Sequence, residues 1–347
     1  MKFYWLKRFL LIPITLFGII ALNFTLIQMT PGGPVEHMMM KIQGSTSASE
    51  VNSGADARQK MFAEQMRNEL NQQFGFDKPL LTRFGELIKN YAVFDLGKSF
   101  YQDKTVLQLI KEKLPVSISL GVFSTLLIYL IAIPLGIRKA VKAGSTFDKA
   151  TTGLLTVGYA LPTFLLAISL VIFFAGGHYL NWFPLRGLVS DNWESLSWFG
   201  KIKDYLWHIT LPVLSIGIGG IAGLCFLTRN SFLDELGKAY VVTARAKGCT
   251  ETKVLWGHVF RNAMLLVLAG FPAMLIGMLF TGSMLIEVIF SLDGLGLLGY
   301  EALQNRDYPV VFGTLYLFGL LGLILNVISD FVYTLVDPRI HFGGRRE

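Results

Sequence analysis

The chain is poor in charge. Only 16% of its 347 residues are Asp, Glu, Lys or Arg, against about 25% in an ordinary soluble domain. Hydrophobic residues make up 52%, with 27 Phe, and the mean hydropathy is +0.51. That imbalance points to the bilayer. Cysteine is scarce too. Cys225 and Cys249 have no metal-site spacing and read as two free thiols. Catalytic signatures are missing: there is no H-E-x-x-H, no pair of membrane aspartates and no G-x-S-x-G, so an intramembrane enzyme is disfavoured. A proton-driven carrier would want several charges near the midplane and usually inverted repeats, and neither is evident.

What is present is a series of charge-free runs: Phe9–Met29, Leu114–Ile137, Ala150–Gly177, Tyr205–Thr228, Asn262–Ile286 and Tyr308–Ser329. Each reaches about 20 residues, enough for an α-helix to cross the hydrocarbon core. In lipid the backbone must satisfy itself, so the expected fold is an all-α membrane protein with six transmembrane helices. Lys2, Lys7 and Arg8 resemble the n-region of a signal peptide. The run after them exceeds an h-region of about 7–15 residues and leads into MTPGGP rather than a small-x-small cleavage site, so it reads as an uncleaved anchor.

Lys and Arg gather at the N-terminus, in 138–149, in 229–261 and in the tail, and are sparse in 178–204 and 287–307. The positive-inside rule then predicts both termini in the cytoplasm and a long outer loop, 31–113. The net charge of +7 is thus topological and lipid-facing, and does not indicate nucleic acid. Within the outer loop, GSTSASEVNSGAD (44–56) reads as linker. Met61, Phe62, Met66, Leu70 and Phe74 predict a helix over 57–74, and Leu80–Tyr91 a second short one. This part is too small for a core of its own and should lean on the membrane part. Prolines 13, 134, 162, 212 and 272 lie within the runs and predict kinks.

Two motifs tempt and fail. AVFDLGKSF (92–100) ends like a phosphate-binding loop, but Ala92 stands where that motif needs glycine. GLGLLG (294–299) matches G-x-G-x-x-G but follows an apolar helix rather than a strand. It reads as a tight turn whose glycines allow close packing. His208 reads as an interfacial histidine, and Asp330 as a snorkelling or paired carboxylate.

The informative stretch is YVVTARAKGCTETKVLWGHVFRN, Tyr240 to Asn262. Two short helices are expected. Ala239, Val242 and Ala246, with Val241 and Ala244, give the first a small-residue surface. Gly248 suits a C′ position with positive φ. Thr250 can N-cap the second helix, with Glu251 at its positive end. Val254, Leu255, Trp256 and Val259 make that helix apolar on one side, and Arg245, Lys247, Lys253 and Arg261 surround the element. Such an exposed amphipathic element wants a partner, and small side chains favour a protein groove.

TARAKG followed by HVFRNA resembles the cytoplasmic coupling loop of ABC-importer permeases of the dipeptide/oligopeptide family. The family pattern is Glu-Ala-Ala, three residues, then Gly. Here the triplet is Val242, Thr243, Ala244 and the glycine is Gly248, so the Glu and first Ala are missing. MTPGGP (29–34), GFDKPL (75–80), FDLGKSF (94–100), LPVSISLG (114–121), FSLDGLGLLGYEALQNRDYPVVFG (290–313) and VDPRI (336–340) resemble the same family in order, closest to its Yej-type branch. The resemblance implies a type I importer permease. Its parts would be a first helix (1–30), a periplasmic loop (31–113), a five-helix core (114–336) containing the coupling loop 229–261, and a tail (337–347).

The implied partners are a second permease, two cytoplasmic ATPase domains on one chain or two, a periplasmic peptide-binding protein and lipid. No cofactor is implied in this chain, because ATP and Mg belong to the ATPases. The implied coupling residues are Tyr240, Val242, Thr243, Ala244, Arg245, Ala246, Lys247, Gly248 and Glu251. Tyr159, Met274 and Met278 lie on spans that could face a pathway. The implied work is peptide import in the bacterial inner membrane, without catalysis. The competing readings are a stand-alone secondary transporter, and a sensor with 31–113 as its ligand-reading part, although a tail of about eleven residues leaves little room for an output domain.

Overall fold

The computed structural model describes residues 2–29, 65, 78–177, 179–271, 274 and 284–336, and in it the apolar runs fold as helices. In chain order they are α1 Lys2–Met29, α2 Leu80–Ala92, α3 Val106–Val141, α4 Thr146–Ala160, α5 Thr163–Phe174, α6 Trp198–Leu236, α7 Ala239–Ala246, α8 Glu251–Lys253, α9 Phe260–Ala269, α10 Met284–Ile289, α11 Leu295–Asn305 and α12 Tyr308–Val336. Among the described residues there is no named strand, only an isolated bridge between Lys98 and Thr105.

Among the described residues, four helical stretches are long and apolar enough to cross a membrane: Arg8–Leu26, Val106–Val141, Trp198–Leu236 and Tyr308–Phe331. They contain the first, second, fourth and sixth expected runs almost entirely. The third run departs from expectation. It is two helices, α4 and α5, bent by 100°. Proline explains the break. Pro162 disfavours α backbone at its predecessor, and Leu161 is extended at φ −80°, ψ 127°. Elsewhere Pro13, Pro134 and Pro212 remain inside continuous helices. The fifth run begins as α9 and ends in α10, and most of what lies between falls outside the described residues, Pro272 included.

The chain forms two compact units. The first comprises Lys113–Leu297 with Ile324 onward, the second Lys2–Glu112 with Leu298–Leu323. In the first, α3, α6 and α9 surround a core of Ile128, Ala132, Leu224, Phe232, Val259 and Val267. The crossing of α3 on α6 is close: a Cβ at Gly136 would lie 2.7 Å from Thr228 Cβ and 2.9 Å from the Cys225 carbonyl oxygen. A second cluster packs Leu120, Ala167, Ile209 and Leu211 against Ile286 and Phe290. GLGLLG is the entry to α11 rather than a bare turn, and its glycines do serve close packing. A Cβ on Gly294 would strike the Glu287 carboxylate, and one on Gly296 would lie 2.8 Å from Met284 Cα.

In the second unit, α2 forms as expected from Leu80. Its Phe84 packs on Phe17 and Phe24, and buried Tyr91 meets Tyr316 at 5.0 Å between ring centroids. The Leu80–Ala92 helix therefore packs on apolar helices. The helix expected over 57–74 lies outside the described residues except for Gln65, which is helical. FDLGKSF and NRDYPVV come together: Ser99 Oγ donates to Asp307 Oδ2, and Phe100 N–H donates to Oδ1 at 3.1 Å.

Candidate functional site

The loop after α6 is built as a docked platform. α6 ends at Leu236, Gly237 and Lys238 turn the chain, and α7 begins at Ala239. The end of α7 is a Schellman motif. Gly248 N–H donates to the Arg245 carbonyl at 2.9 Å, and Cys249 N–H to the Ala244 carbonyl at 3.2 Å. The closing residue needs positive φ, and Gly248 has +81°. Thr250 then caps α8, its hydroxyl accepting from Lys253 N–H. Glu251 spans the turn to Arg245, with oxygens 2.8 Å from Nε and 3.0 Å from Nη2. The Arg245 hydrogen bonds hold the Glu251 carboxyl below its ordinary value.

α7 is anchored by one face and open on the other. Val241 and Ala244 are buried in the core that contains Ile137, Ala140 and Phe232. Tyr240 is half-buried, its hydroxyl donating to Glu235 Oε2 at 2.6 Å and accepting from Asn262 Nδ2 at 3.3 Å. Ala239, Val242, Thr243, Arg245, Ala246, Lys247 and Gly248 are exposed, Val242 at 61%. Of the nine residues implied for coupling, Tyr240 and Ala244 thus hold the element, while Val242, Thr243, Arg245, Ala246, Lys247, Gly248 and Glu251 form its outer surface. The two small-residue stripes separate: Ala239, Val242 and Ala246 face outward, Val241 and Ala244 inward. No atom lies within 4 Å of a Cβ built on Gly248.

The following helix is not uniform. Val254–Val259 is a π-helical turn between α8 and α9. The wider turn places Val254 and Val259 both in the core and leaves Trp256 55% exposed, its ring tilted against Phe260 at 5.0 Å between centroids. Ser231 on α6 donates to the Ala263 carbonyl at 2.7 Å, so α6, α7 and α9 are tied together on the inward side of the platform.

Other candidates are scattered. Tyr159 is 65% exposed on α4, Met274 packs beside the main core, and Met278 lies outside the described residues. Asp330 is buried on α12. His208 is buried, with Nδ1 2.8 Å from the Asp204 carbonyl oxygen. Cys225 and Cys249 are free, as expected.

Besides Asp307, two buried charged sites among the described residues were not foreseen. One joins Lys139, Asp148 and Arg229. The other is Glu287, which accepts from Ser117 Oγ at 3.0 Å and Leu297 N–H at 2.8 Å at the start of α11. The available signal was an acidic residue inside a basic loop (Asp148) and one at the edge of an apolar run (Glu287).

Comparison with known proteins places this architecture. The family described as "Binding-protein-dependent transport system inner membrane component" matches residues 132–342. The inner membrane ABC transporter permease protein YejB of Escherichia coli O157:H7 is 54% identical over 361 aligned residues, covering 99% of each chain. The peptidoglycan transport system permease protein YejB of Agrobacterium fabrum is 51% identical over 99% of each. The dipeptide transport system permease protein DppB of Escherichia coli K12 is 33% identical over 96% of this chain and 97% of its own. Among solved structures, an inward-facing MetNI methionine ABC transporter chain matches with TM-score 0.50 at 15% identity, over 67% of this chain and 97% of that one, a likeness of fold alone. The chain is a multi-pass inner-membrane protein and belongs to the family of binding-protein-dependent transport system inner membrane components.

Proposed function

We propose that the chain is one of two permease subunits of an ATP-driven importer for peptides or peptide-like compounds, and forms half of the translocation pathway. The observation that carries this reading is the end-to-end likeness to permeases named for peptide-class cargo. In it the chain crosses the membrane six times with both termini in the cytoplasm, as the Lys and Arg distribution indicates. The platform of α7 and α8 then faces the cytoplasm, where an ATPase groove receives it. ATP and Mg act on the ATPase chains, and this chain contributes no catalytic group.

The physical content is a bistable bundle. ATPases that close on ATP favour one arrangement of the helices over another, because they bind the platform differently in each. The geometry of α7 supports the docking role: a small-residue ridge that lets another backbone approach, basic residues around it, and an inward face tied to three helices so that a push moves them together. A periplasmic binding protein would deliver cargo on the opposite side, and Tyr159, Met274 and Met278 remain candidates for the pathway.

The test is purification of the tagged chain from its native membrane, identification of co-purifying chains by mass spectrometry, and reconstitution of that assembly with radiolabelled peptide. Uptake that needs both ATP and the binding protein is the expected result. Uptake driven by a proton gradient without ATP would overturn the proposal and favour a secondary transporter.

A further inference from the structure

The Lys139–Asp148–Arg229 cluster lies where three helices end, and it is more elaborate than a topological charge needs to be. Asp148 sits in the first turn of α4. Its carboxylate receives Arg229 Nε at 2.9 Å and Nη2 at 2.8 Å in a bidentate fork. It also accepts from Gly144 N–H at 3.1 Å and forms an ion pair with Lys139 Nζ at 3.1 Å. Lys139, near the end of α3, is 0% exposed. Its ammonium donates to the Asp148 carbonyl at 2.9 Å, Thr151 Oγ1 at 2.8 Å and Thr152 Oγ1 at 2.7 Å. All three of its protons therefore have acceptors, which is what burial of an ammonium demands.

We infer that this cluster is the joint through which movement of the coupling platform reaches α3 and α4, with Asp148 as its positioning residue. The inference rests on the importer reading above. Arg229 is on α6 two turns before that helix ends, and α6 leads directly into α7. Below the cluster, Phe232 is buried with Val241 of the platform. Beside it, Gly136 of α3 meets Thr228 of α6 too closely for a Cβ, so the two helices touch by backbone and cannot slide without parting. An ionic joint suits this task better than an apolar contact. Buried ion sets add little net stability over hydrophobic packing, and where they are retained they can specify one arrangement. Two cations share one carboxylate, so displacing Asp148 leaves the fully buried Lys139 ammonium without its counter-charge and the partly exposed Arg229 without its fork. The α6 end and the α3–α4 corner must therefore travel together.

The experiment uses the whole importer in proteoliposomes and reads peptides taken up per ATP hydrolysed, alongside ATPase retention on the tagged permease. Asp148→Asn keeps the shape and removes the charge. Expected is normal ATPase retention and continuing hydrolysis, with peptide per ATP reduced tenfold or more. A merely structural role would lower uptake and hydrolysis together as protein is lost, leaving the ratio unchanged, and that result would overturn the joint. Should Asp148→Asn not accumulate, Arg229→Lys decides. It retains the cation but not the fork, and the joint predicts a several-fold fall in the ratio, whereas a wild-type ratio refutes it. Failure of the wild-type assembly to couple ATP to uptake at all would instead sink the importer reading, and the joint with it.

Discussion

Gly248 separates two explanations that usually travel together, a glycine kept for its backbone and a glycine kept for a partner. The backbone reason is real: φ is +81°, and a residue with a Cβ in that conformation is strained by about 1–2 kcal/mol. Asn and Asp tolerate it better than Ala, because their side chains bond locally. There is no steric reason within the chain, since nothing lies within 4 Å of the added Cβ. With Val241 and Ala244 buried on the inner face, a strain of this size should not release α7.

The two explanations therefore rank substitutions in opposite orders. If φ alone matters, Gly248→Asn is mildest, Gly248→Asp next and Gly248→Ala worst, all within about 1–2 kcal/mol. If an ATPase groove closes on this position, the smallest side chain is mildest. Ala is then tolerated, Asn weakens docking, and Asp, adding bulk and charge at a packed contact, costs about 2 kcal/mol or more, roughly 30-fold in affinity. The assay is retention of the ATPase during affinity purification, titrated and normalised to inserted permease, with peptide uptake measured in parallel. Retention falling in the order Ala, Asn, Asp supports docking. Normal retention and uptake in Gly248→Asp, or Ala retained worse than Asn, would refute it.

Further outcomes follow from the same geometry. Glu251 and Arg245 are both exposed, so Glu251→Gln should leave the melting temperature unchanged yet alter the salt dependence of ATPase retention. An unaltered salt profile would remove Glu251 from the docking surface. Burial pushes the Asp307 carboxyl above the ordinary 3.8, against the bonds from Ser99 and Phe100. A raised carboxyl contributes stability that is complete below the ordinary value and lost as pH rises through the raised one. Asp307→Asn should accordingly lessen the fall in melting temperature of purified protein as pH rises above the ordinary carboxylate value, and an unchanged slope there would assign it to other groups. Cys225 is buried and Cys249 only partly so. A membrane-impermeant maleimide should label Cys249 and spare Cys225 in inside-out vesicles, and labelling of Cys249 in right-side-out vesicles instead would reverse the proposed topology.

What the sequence revealed, and what it hid, divides along the range of the interactions. The Schellman closure at Gly248 and the cap at Thr250 were legible because each is decided within about six residues by backbone chemistry. The break at Pro162 was half legible. A proline inside an apolar run announces a kink, but whether it becomes a 100° corner depends on what the two halves pack against, which local pattern does not carry. The π turn at Val254–Val259 left no local mark, because VLWGHV holds nothing that forbids an ordinary α turn. Its cause is tertiary, in that the extra width lets Val254 and Val259 both reach the core.

The charged groups show the limit most clearly. Lys139 and Arg229 were legible only as markers of sidedness, yet Asp148 bonds to Arg229 across 81 positions, and Glu287 to Ser117 across 170. No periodicity links such partners, because they sit on separate helices that meet only after the bundle has formed. In a chain this poor in charge, that is also why they matter. A carboxylate placed in an apolar bundle must find donors or lose its charge, so each one that survives at zero or near-zero exposure marks a fixed meeting point of helices. Asp148 and Glu287 are two such points. The first lies beside the platform proposed to take the ATPase's push, and the second binds the start of α11 to α3 and α10. Movement of the bundle must then be of a kind that preserves both meetings, or breaks one of them at a cost that the proposed ATPases would have to offset.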